Sequence, residues 1–305
     1  MSSAALTTKS VAAPERIRGR TRRMHSGAGA YLLSLPLVVV LGVFLVLPLC
    51  AIAVVSVFDY DSVQIIPAFI FDNYRDTLLS NVTWRTYANT AKYAVLTWAI
   101  TLAIGFPVAY YLAFHVRSKT TQMVLFLVCT VPFLTSNIIR MISWIPFLGR
   151  NGLINGALTR LHLIGHPLEF LLFSDFSIVL AFVHLYALFM ITPIFNAMVR
   201  MDRRLIEAAV DAGAGPFAVV RDVVIPLSKP GIAIGSIFVV TLVMGDFVTV
   251  SVMGGGQRAS VGLMIYNQIS LLQYPAACAN AVVLLAIVLM MVFVVLRGVN
   301  IRGEL

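Results

Sequence analysis

The feature that most constrains this chain is the spacing of its charged residues. Five stretches of at least 20 residues contain no Asp, Glu, Lys or Arg: 24–58, 93–116, 120–139, 176–199 and 259–296. About 20 consecutive, mostly apolar residues suffice for a helix to cross the hydrocarbon core of a bilayer. Each of these stretches is therefore long enough to contain a membrane span.

The composition supports a membrane protein over a soluble one. Only 11% of the residues are charged and 60% are hydrophobic, whereas about 25% of the residues of a soluble domain are charged. Helices around a soluble core are apolar on one face, but residues 35–49 and 281–296 are apolar on every face. We predict an all-α integral membrane protein with six transmembrane helices.

The predicted spans lie near residues 31–57, 92–115, 122–146, 177–198, 231–252 and 276–297. Residues 1–27 carry six Lys and Arg residues. The apolar run that follows them is about twice as long as the core of a signal peptide. We therefore expect residues 1–27 to form a disordered basic tail and residues 28–305 to form one transmembrane domain.

Lys and Arg are distributed unequally among the segments that join the spans. If the N-terminus is cytoplasmic, the inner segments hold 15 of the 22 and the outer loops hold 5. Cytoplasmic loops of membrane proteins are enriched in Lys and Arg. We therefore predict that both termini and the stretch 198–230 lie in the cytoplasm. The same bias accounts for the net charge of +9, so we expect no nucleic-acid partner.

The chain lacks the sequence motifs of common enzymes. It contains no P-loop, no His-Glu-x-x-His and no Gly-x-Ser-x-Gly. His162 and His166 are four residues apart in a predicted outer loop, but no third ligand lies at a useful spacing. We expect no catalytic residue, no metal and no cofactor, and we interpret the chain as a non-catalytic membrane subunit.

The cytoplasmic stretch 203–231 is richer in charged residues, Ala and Gly than its surroundings. Its first part favours a helix that Gly213 can end in a left-handed conformation. Pro216 suits the first turn of a second helix, and Pro226 and Pro230 are expected to end it. The pattern predicts a helix–turn–helix on the cytoplasmic surface of the membrane.

This stretch also carries an ordered motif. Glu207, Ala208 and Ala209 are followed after three residues by Gly213 and, after nine more, by Val-x-Ile-Pro ending at Pro226. It closely resembles the EAA loop of ABC importer permeases, which has Ile-x-Leu-Pro at its end. The resemblance implies that the loop contacts an ATP-hydrolysing subunit. The residues it implicates are Arg203, Arg204, Glu207, Ala208, Ala209, Asp211, Gly213 and Pro226.

Two further segments are similar to spermidine/putrescine-type permeases. Residues 134–155 contain an Arg, aromatic residues and then Leu-Gly-x-x-Gly-Leu-Ile-Asn, and residues 245–256 contain an acidic-Phe-Val segment that ends in a Gly run. The resemblance implies a bacterial inner-membrane permease with both termini in the cytoplasm. Its implied partners are a second homologous permease, a cytoplasmic ABC ATPase dimer and a periplasmic solute-binding protein.

The resemblance implies a polyamine or a related organic cation as the solute. Two alternatives stay open. The same architecture could import an opine, an amino-acid derivative or ferric iron. A chain of another class would be a secondary transporter or channel driven by an ion gradient.

Charged residues inside the predicted spans are candidates for the solute path. Asp246 and Arg140 should face a cavity, a partner or each other, because an ionised side chain at the bilayer centre costs at least about 2.5–3.5 kcal/mol. A carboxylate beside aromatic rings suits a cationic amine. The alternative is a structural ion pair or a subunit contact. The candidate path residues are Asp246, Phe247, Arg140, Trp144, Asn137 and Tyr186.

Overall fold

The computed structural model describes residues 35–61, 65–116 and 118–298. The predicted basic tail, residues 1–27, lies outside this part of the chain. Of the described residues, those up to Cys50 belong to one compact unit and those from Ala51 to a second. The packing described below is that of the second unit.

Helices make up most of the described residues. They are α1 (Leu35–Val55), α2 (Asp72–Leu79), α3 (Asn81–His115), α4 (Lys119–Thr130), α5 (Asn137–Leu148), α6 (Leu153–Arg160), α7 (Asp175–Val199), α8 (Arg203–Asp211), α9 (Pro216–Gly245), α10 (Val248–Gly254), α11 (Val261–Ser270) and α12 (Tyr274–Gly298). Strands β1 (Asp59–Tyr60) and β2 (Ile65–Ile66) pair antiparallel. Five helices are long and apolar enough to cross a membrane: α1, α3, α7, α9 and α12. This confirms an all-α membrane fold.

Two short helices occupy the segment where the sequence predicts one span over 122–146. Helices α4 and α5 have 12 residues each, and a tighter 3-10 turn at Val131–Leu134 separates them. Pro132 lies in this turn and has no backbone N–H to donate, so a regular helix through it would lack one hydrogen bond. The uniform apolar pattern concealed this break.

Helix α9 begins earlier and ends earlier than the predicted fifth span, 231–252. Pro226 and Pro230 lie inside the helix and do not end it. Membrane helices tolerate proline where local π turns and hydroxyl groups satisfy the freed backbone, and a π turn at Val220–Val224 precedes both residues. The second helix of the predicted helix–turn–helix therefore continues into the membrane.

Helix α7 is the central helix of the core. It packs against α3 and α9, and its buried residues lie on all sides of the helix. Helix α3 faces this core with threonines that are buried: Thr83, Thr86, Thr90, Thr97 and Thr101. Small side chains of this kind allow membrane helices to approach closely.

Helices α7 and α9 cross at short range through two glycines. Gly231 and Gly235 are four residues apart on α9, in the small-xxx-small spacing of close membrane-helix contacts. A Cβ atom at Gly231 would lie 2.5 Å from the Pro193 carbonyl oxygen and 2.8 Å from the Ala197 Cβ. No larger side chain fits there, so α7 and α9 form a tightly packed pair.

We expect Gly231→Ala to destabilise the protein, because the added methyl group overlaps the backbone of α7. Overpacking typically costs about 1–3 kcal/mol, so the melting temperature in detergent should fall by about 2 °C or more. The matched control is Gly156→Ala in α6, where an added Cβ meets no atom within 4 Å. Size-exclusion profiles after heating measure both variants, and equal melting temperatures would contradict this packing.

Candidate functional site

The cytoplasmic motif forms a short helix with defined ends. The carboxylate of Asp202 accepts a hydrogen bond from the backbone N–H of Arg204 at 3.0 Å and caps the start of α8. Gly213 has a φ of +87°, the left-handed conformation that glycine adopts without strain. This confirms the sequence-based prediction that Gly213 ends the helix. Pro216 stands in the first turn of the next helix, α9, as predicted.

Helix α8 is connected directly to the core of the bundle. It follows the last residue of α7 by a short turn, and α9 begins soon after it. The guanidinium of Arg203 donates to the carbonyl of Ala113 at 3.3 Å, near the end of α3. Helix α8 is thus joined to the three helices that form the core.

The two alanines of the motif face different surroundings. Ala209 is half-buried and packs against the hydrophobic core, whereas Ala208 is exposed. Glu207 and Asp211 are also exposed on this helix. A bare surface at Ala208 lets another protein approach the helix backbone closely, while Ala209 allows α8 to lie close to the bundle.

An exposed aromatic residue missed by the sequence analysis lies beside α8. Phe217 is 77% exposed and Val210 is 55% exposed. Aromatic residues are enriched among the residues that dominate binding at protein interfaces. Nothing in the sequence distinguishes Phe217, as a residue exposed beside α8, from the phenylalanines of the apolar runs.

Asp246 lies at a break in the membrane helices, between α9 and α10. Its carboxylate accepts hydrogen bonds from the Tyr186 hydroxyl at 2.6 Å, from the Thr249 backbone N–H at 2.8 Å and from the Thr249 hydroxyl at 2.7 Å. The carboxylate therefore caps α10 and joins it to α7. Tyr186 and Asp246, both singled out in the sequence, are brought into contact.

Arg140 is buried, with 8% of its surface exposed. Its Nη2 donates to the side-chain oxygen of Asn137 at 2.6 Å and to the carbonyl of Thr135 at 3.3 Å, and the ring of Phe133 lies 5.2 Å from the guanidinium. Its Nε and Nη1 have no hydrogen-bond partner among the described residues. A buried charge without a counter-ion is strongly unfavourable, which marks Arg140 as a group that needs a further partner.

The remaining predicted path residues belong to two separate aromatic contacts. Trp144 donates from its indole N–H to the Nδ1 atom of His184 at 3.1 Å. Phe247 stacks on Tyr266 with ring centroids 4.6 Å apart. Two aromatic residues therefore lie next to Asp246: Phe247 follows it in the sequence, and Tyr186 contacts it in the fold. Among the described residues, no ion pair within 4.0 Å joins Asp246 to Arg140.

A cavity of about 840 Å3 lies beside these residues, on the side of the bundle toward α8. It is lined by α7, α9, the end of α4 and the start of α8, and its walls are mostly apolar. None of the six predicted path residues lines it. Volumes of this size are typical of small-molecule sites.

An aromatic layer separates the cavity from the charged residues. Phe133, Phe189 and Phe238 line the cavity, and the ring centroid of Phe189 lies 5.1 Å from Phe133 and 6.1 Å from Phe238. Phe189 also contacts Tyr186, with ring centroids 6.2 Å apart, and Tyr186 does not line the cavity. The sequence analysis missed these phenylalanines because nothing in an apolar run distinguishes a cavity-lining ring from a lipid-facing one.

Comparison with known proteins identifies the family of this chain. Residues 102–300 match the family described as binding-protein-dependent transport system inner membrane component. The spermidine/putrescine transport system permease protein PotB of Haemophilus influenzae is 30% identical and covers 75% of this chain and 78% of its own length. PotB of Escherichia coli (strain K12) is 29% identical, and the match covers 75% of this chain and 82% of PotB.

A solved structure shares the fold. A chain of the bacterial alginate ABC transporter, in complex with an alginate pentasaccharide-bound periplasmic protein, has a TM-score of 0.73. It is 16% identical, and the match covers 90% of this chain and 95% of that one. This chain belongs to the binding-protein-dependent transport system inner membrane components and is a permease subunit of an ABC importer.

Proposed function

We propose that this permease imports a polyamine such as spermidine or putrescine. Two observations support the proposal. The relatives at about 30% identity over three quarters of the chain are named as spermidine/putrescine permeases. Asp246 offers a carboxylate within the membrane, flanked by Tyr186 and by the stacked rings of Phe247 and Tyr266. This arrangement of negative charge and aromatic faces binds organic ammonium groups.

The solute path runs from the Asp246 site to the cavity beside α8. In the resting arrangement the aromatic layer of Phe133, Phe189 and Phe238 separates the two. Transport by alternating access exposes a midplane site first to one side and then to the other. Separation of α7 and α9 from α4 and α5 moves these rings apart and opens the site toward the cytoplasm.

The energy comes from a cytoplasmic ATPase dimer that binds α8. The exposed residues Glu207, Ala208 and Asp211, together with Phe217, form the docking surface, and Arg203 holds the helix to the bundle. Closure of the ATPase dimer on ATP pulls α8, which tilts α7 and α9. A second homologous permease completes the path, and a periplasmic binding protein delivers the solute.

The chain crosses the inner membrane six times, and both termini are cytoplasmic. Helices α4 and α5 together form the third crossing. Twelve helical residues rise about 18 Å, so the pair exceeds the hydrocarbon thickness of about 30 Å. An even number of crossings returns the chain to the side where it began, in agreement with the 15 to 5 distribution of Lys and Arg.

The unpartnered Nε and Nη1 of Arg140 favour a second candidate solute, an amine that also carries a carboxylate, as opines and amino-acid derivatives do. Its carboxylate would supply the counter-ion that the guanidinium lacks. Competition distinguishes the two candidates. An excess of such a compound should inhibit uptake of labelled spermidine only if this second candidate is a solute.

Reconstitution tests the proposed function. Proteoliposomes holding this chain, its second permease and the ATPase dimer should take up labelled spermidine from the loaded binding protein. Uptake should require ATP on the ATPase side, should persist when ionophores collapse ion gradients, and should be lost when residues 203–215 are deleted. Uptake that proceeds without ATP and stops with ionophores would identify a gradient-driven carrier instead.

A further inference from the structure

A second charged cluster lies at the end of the bundle opposite α8. The carboxylate of Asp175, the first residue of α7, pairs with Lys92 Nζ of α3 at 2.5 Å and with Arg258 Nε at 3.3 Å. The hydroxyl of Tyr93 donates to the same carboxylate at 2.8 Å. Two cations share one carboxylate, so the cluster has a net positive charge. We call Lys92, Asp175 and Arg258 the outer cluster.

The loop that carries Arg258 joins α10 to α11 and is fastened to α7. Gly255 has a φ of +55°, and a Cβ there would lie 2.4 Å from the ring of Phe173, just before α7. The hydroxyl of Ser177 donates to the carbonyl of Met253 at 3.0 Å. The loop therefore covers the start of α7, and the outer cluster lies at the edge of this contact.

The loop is also held to α3. The backbone N–H of Val261 donates to the hydroxyl of Thr90 at 2.9 Å, two residues before Lys92. The first residues of α7, Thr90 and Lys92 of α3, and the loop 255–260 are thus tied together on one side of the membrane. The cavity lies on the other side, toward α8. In the proposed orientation, solute from outside reaches Asp246 by passing this end of the bundle.

The outer cluster remains accessible to a docking protein. The side chains of Lys92 and Arg258 are 44% and 42% exposed, and that of Asp175 is 35% exposed. Complementary charges across an interface speed association and fix its register. An excess of positive charge at this exposed edge is suited to an acidic side chain.

We infer that the outer cluster binds an acidic side chain of the external solute-binding protein, and that this carboxylate replaces Asp175 as the partner of Arg258. The exchange removes one of the contacts that hold the loop 255–260 to α7 and thereby favours opening of the outer end of the bundle. It leaves neither cation without a counter-ion, since Asp175 keeps Lys92. The inference rests on the proposed function for the orientation of the chain and for the partner.

The variant Arg258→Gln tests this inference in the complete importer, reconstituted in nanodiscs with its ATPase and second permease. Glutamine keeps the Cβ and Cγ atoms that lie over Gly254 but removes the charge. We measure ATP hydrolysis against the concentration of the solute-loaded binding protein encoded with this permease. The half-stimulating concentration should rise about three- to fivefold, and hydrolysis without the binding protein should also rise.

The matched control is Arg150→Gln, which removes the same charge from an exposed pair with Glu169, 3.6 Å apart, in another loop at the same end. It should behave as the wild type. Lys92→Gln should also raise the half-stimulating concentration, and Arg258→Lys, which keeps the charge, should restore it in part. Added salt should weaken the wild-type response more than that of Arg258→Gln.

Three outcomes would overturn the inference. Arg258→Gln could match Arg150→Gln in both measurements. Basal hydrolysis could rise while the half-stimulating concentration stays the same. That result would show that the outer cluster holds the loop 255–260 in place but does not contact the binding protein. Basal hydrolysis could respond to the phosphatidylglycerol content of the nanodisc in the wild type but not in Arg258→Gln. That result would assign the cluster to lipid headgroups. A wild type that lacks stimulated hydrolysis altogether would instead refute the proposed function.

Discussion

Glu207→Lys is expected to lower spermidine uptake by at least about tenfold while the protein stays in the membrane at wild-type amount. Glu207 is exposed on α8, and Lys favours a helix as well as Glu does, so the fold should survive the change. Reversal of a charge at a docking surface places like charges together, which costs several kcal/mol. About 1.4 kcal/mol already corresponds to a tenfold weaker complex.

Three measurements check this expectation in cells that express the complete importer. The initial rate of labelled spermidine uptake reports transport. Immunoblots of membranes report the amount of permease, and co-purification reports how much ATPase subunit it retains. Glu169→Lys is the matched control, because it makes the same chemical change in an exposed outer pair, where an ion pair contributes about 0–1 kcal/mol. Normal uptake and normal ATPase retention by Glu207→Lys would rule out a docking role for this part of α8.

Asp246→Asn is expected to reduce spermidine uptake by at least about thirtyfold. The variant keeps an oxygen that can accept the Thr249 backbone N–H, so the start of α10 remains capped. It removes the negative charge that balances an ammonium group away from water. Loss of one member of such a charge pair costs about 2–5 kcal/mol, and about 2 kcal/mol corresponds to a thirtyfold change.

The control for this variant leaves the charge in place. Thr249→Val removes the hydroxyl that donates to Asp246 at 2.7 Å and retains the carboxylate, so uptake should fall only slightly. Initial rates of labelled spermidine uptake, normalised to permease in the membrane, compare the two. Wild-type uptake by Asp246→Asn would show that the carboxylate serves the helix cap alone, or that the solute is not a cation.

Charge spacing and composition were sufficient to predict the membrane fold, because a bilayer excludes charged residues from long segments. They could not reveal the break between α4 and α5, since a broken and a continuous helix present the same apolar residues to lipid. The course of α9 was mispredicted for a related reason. Pro226 and Pro230 end helices in water, but within a bundle neighbouring groups satisfy the freed backbone.

The candidate site was likewise predictable only in part. Asp246 was recognisable because a carboxylate inside a membrane requires a reason. Its contact with Tyr186, 60 residues earlier in the chain, depends on how α7 and α9 pack, which no local pattern encodes. The aromatic layer at Phe133, Phe189 and Phe238 was missed because an apolar run does not record which side faces a cavity.

The close crossing at Gly231 also determines where the molecule can bend. With a backbone oxygen 2.5 Å from the position a Cβ would take, α7 and α9 are in close contact here, and we expect them to move together. Irregular turns at residues 131–136 and 245–247 interrupt the helical segments. Arg140 follows the first turn and Asp246 lies within the second, so the two charged residues proposed for the solute path lie at breaks between helices, where the chain can change direction without breaking a helix.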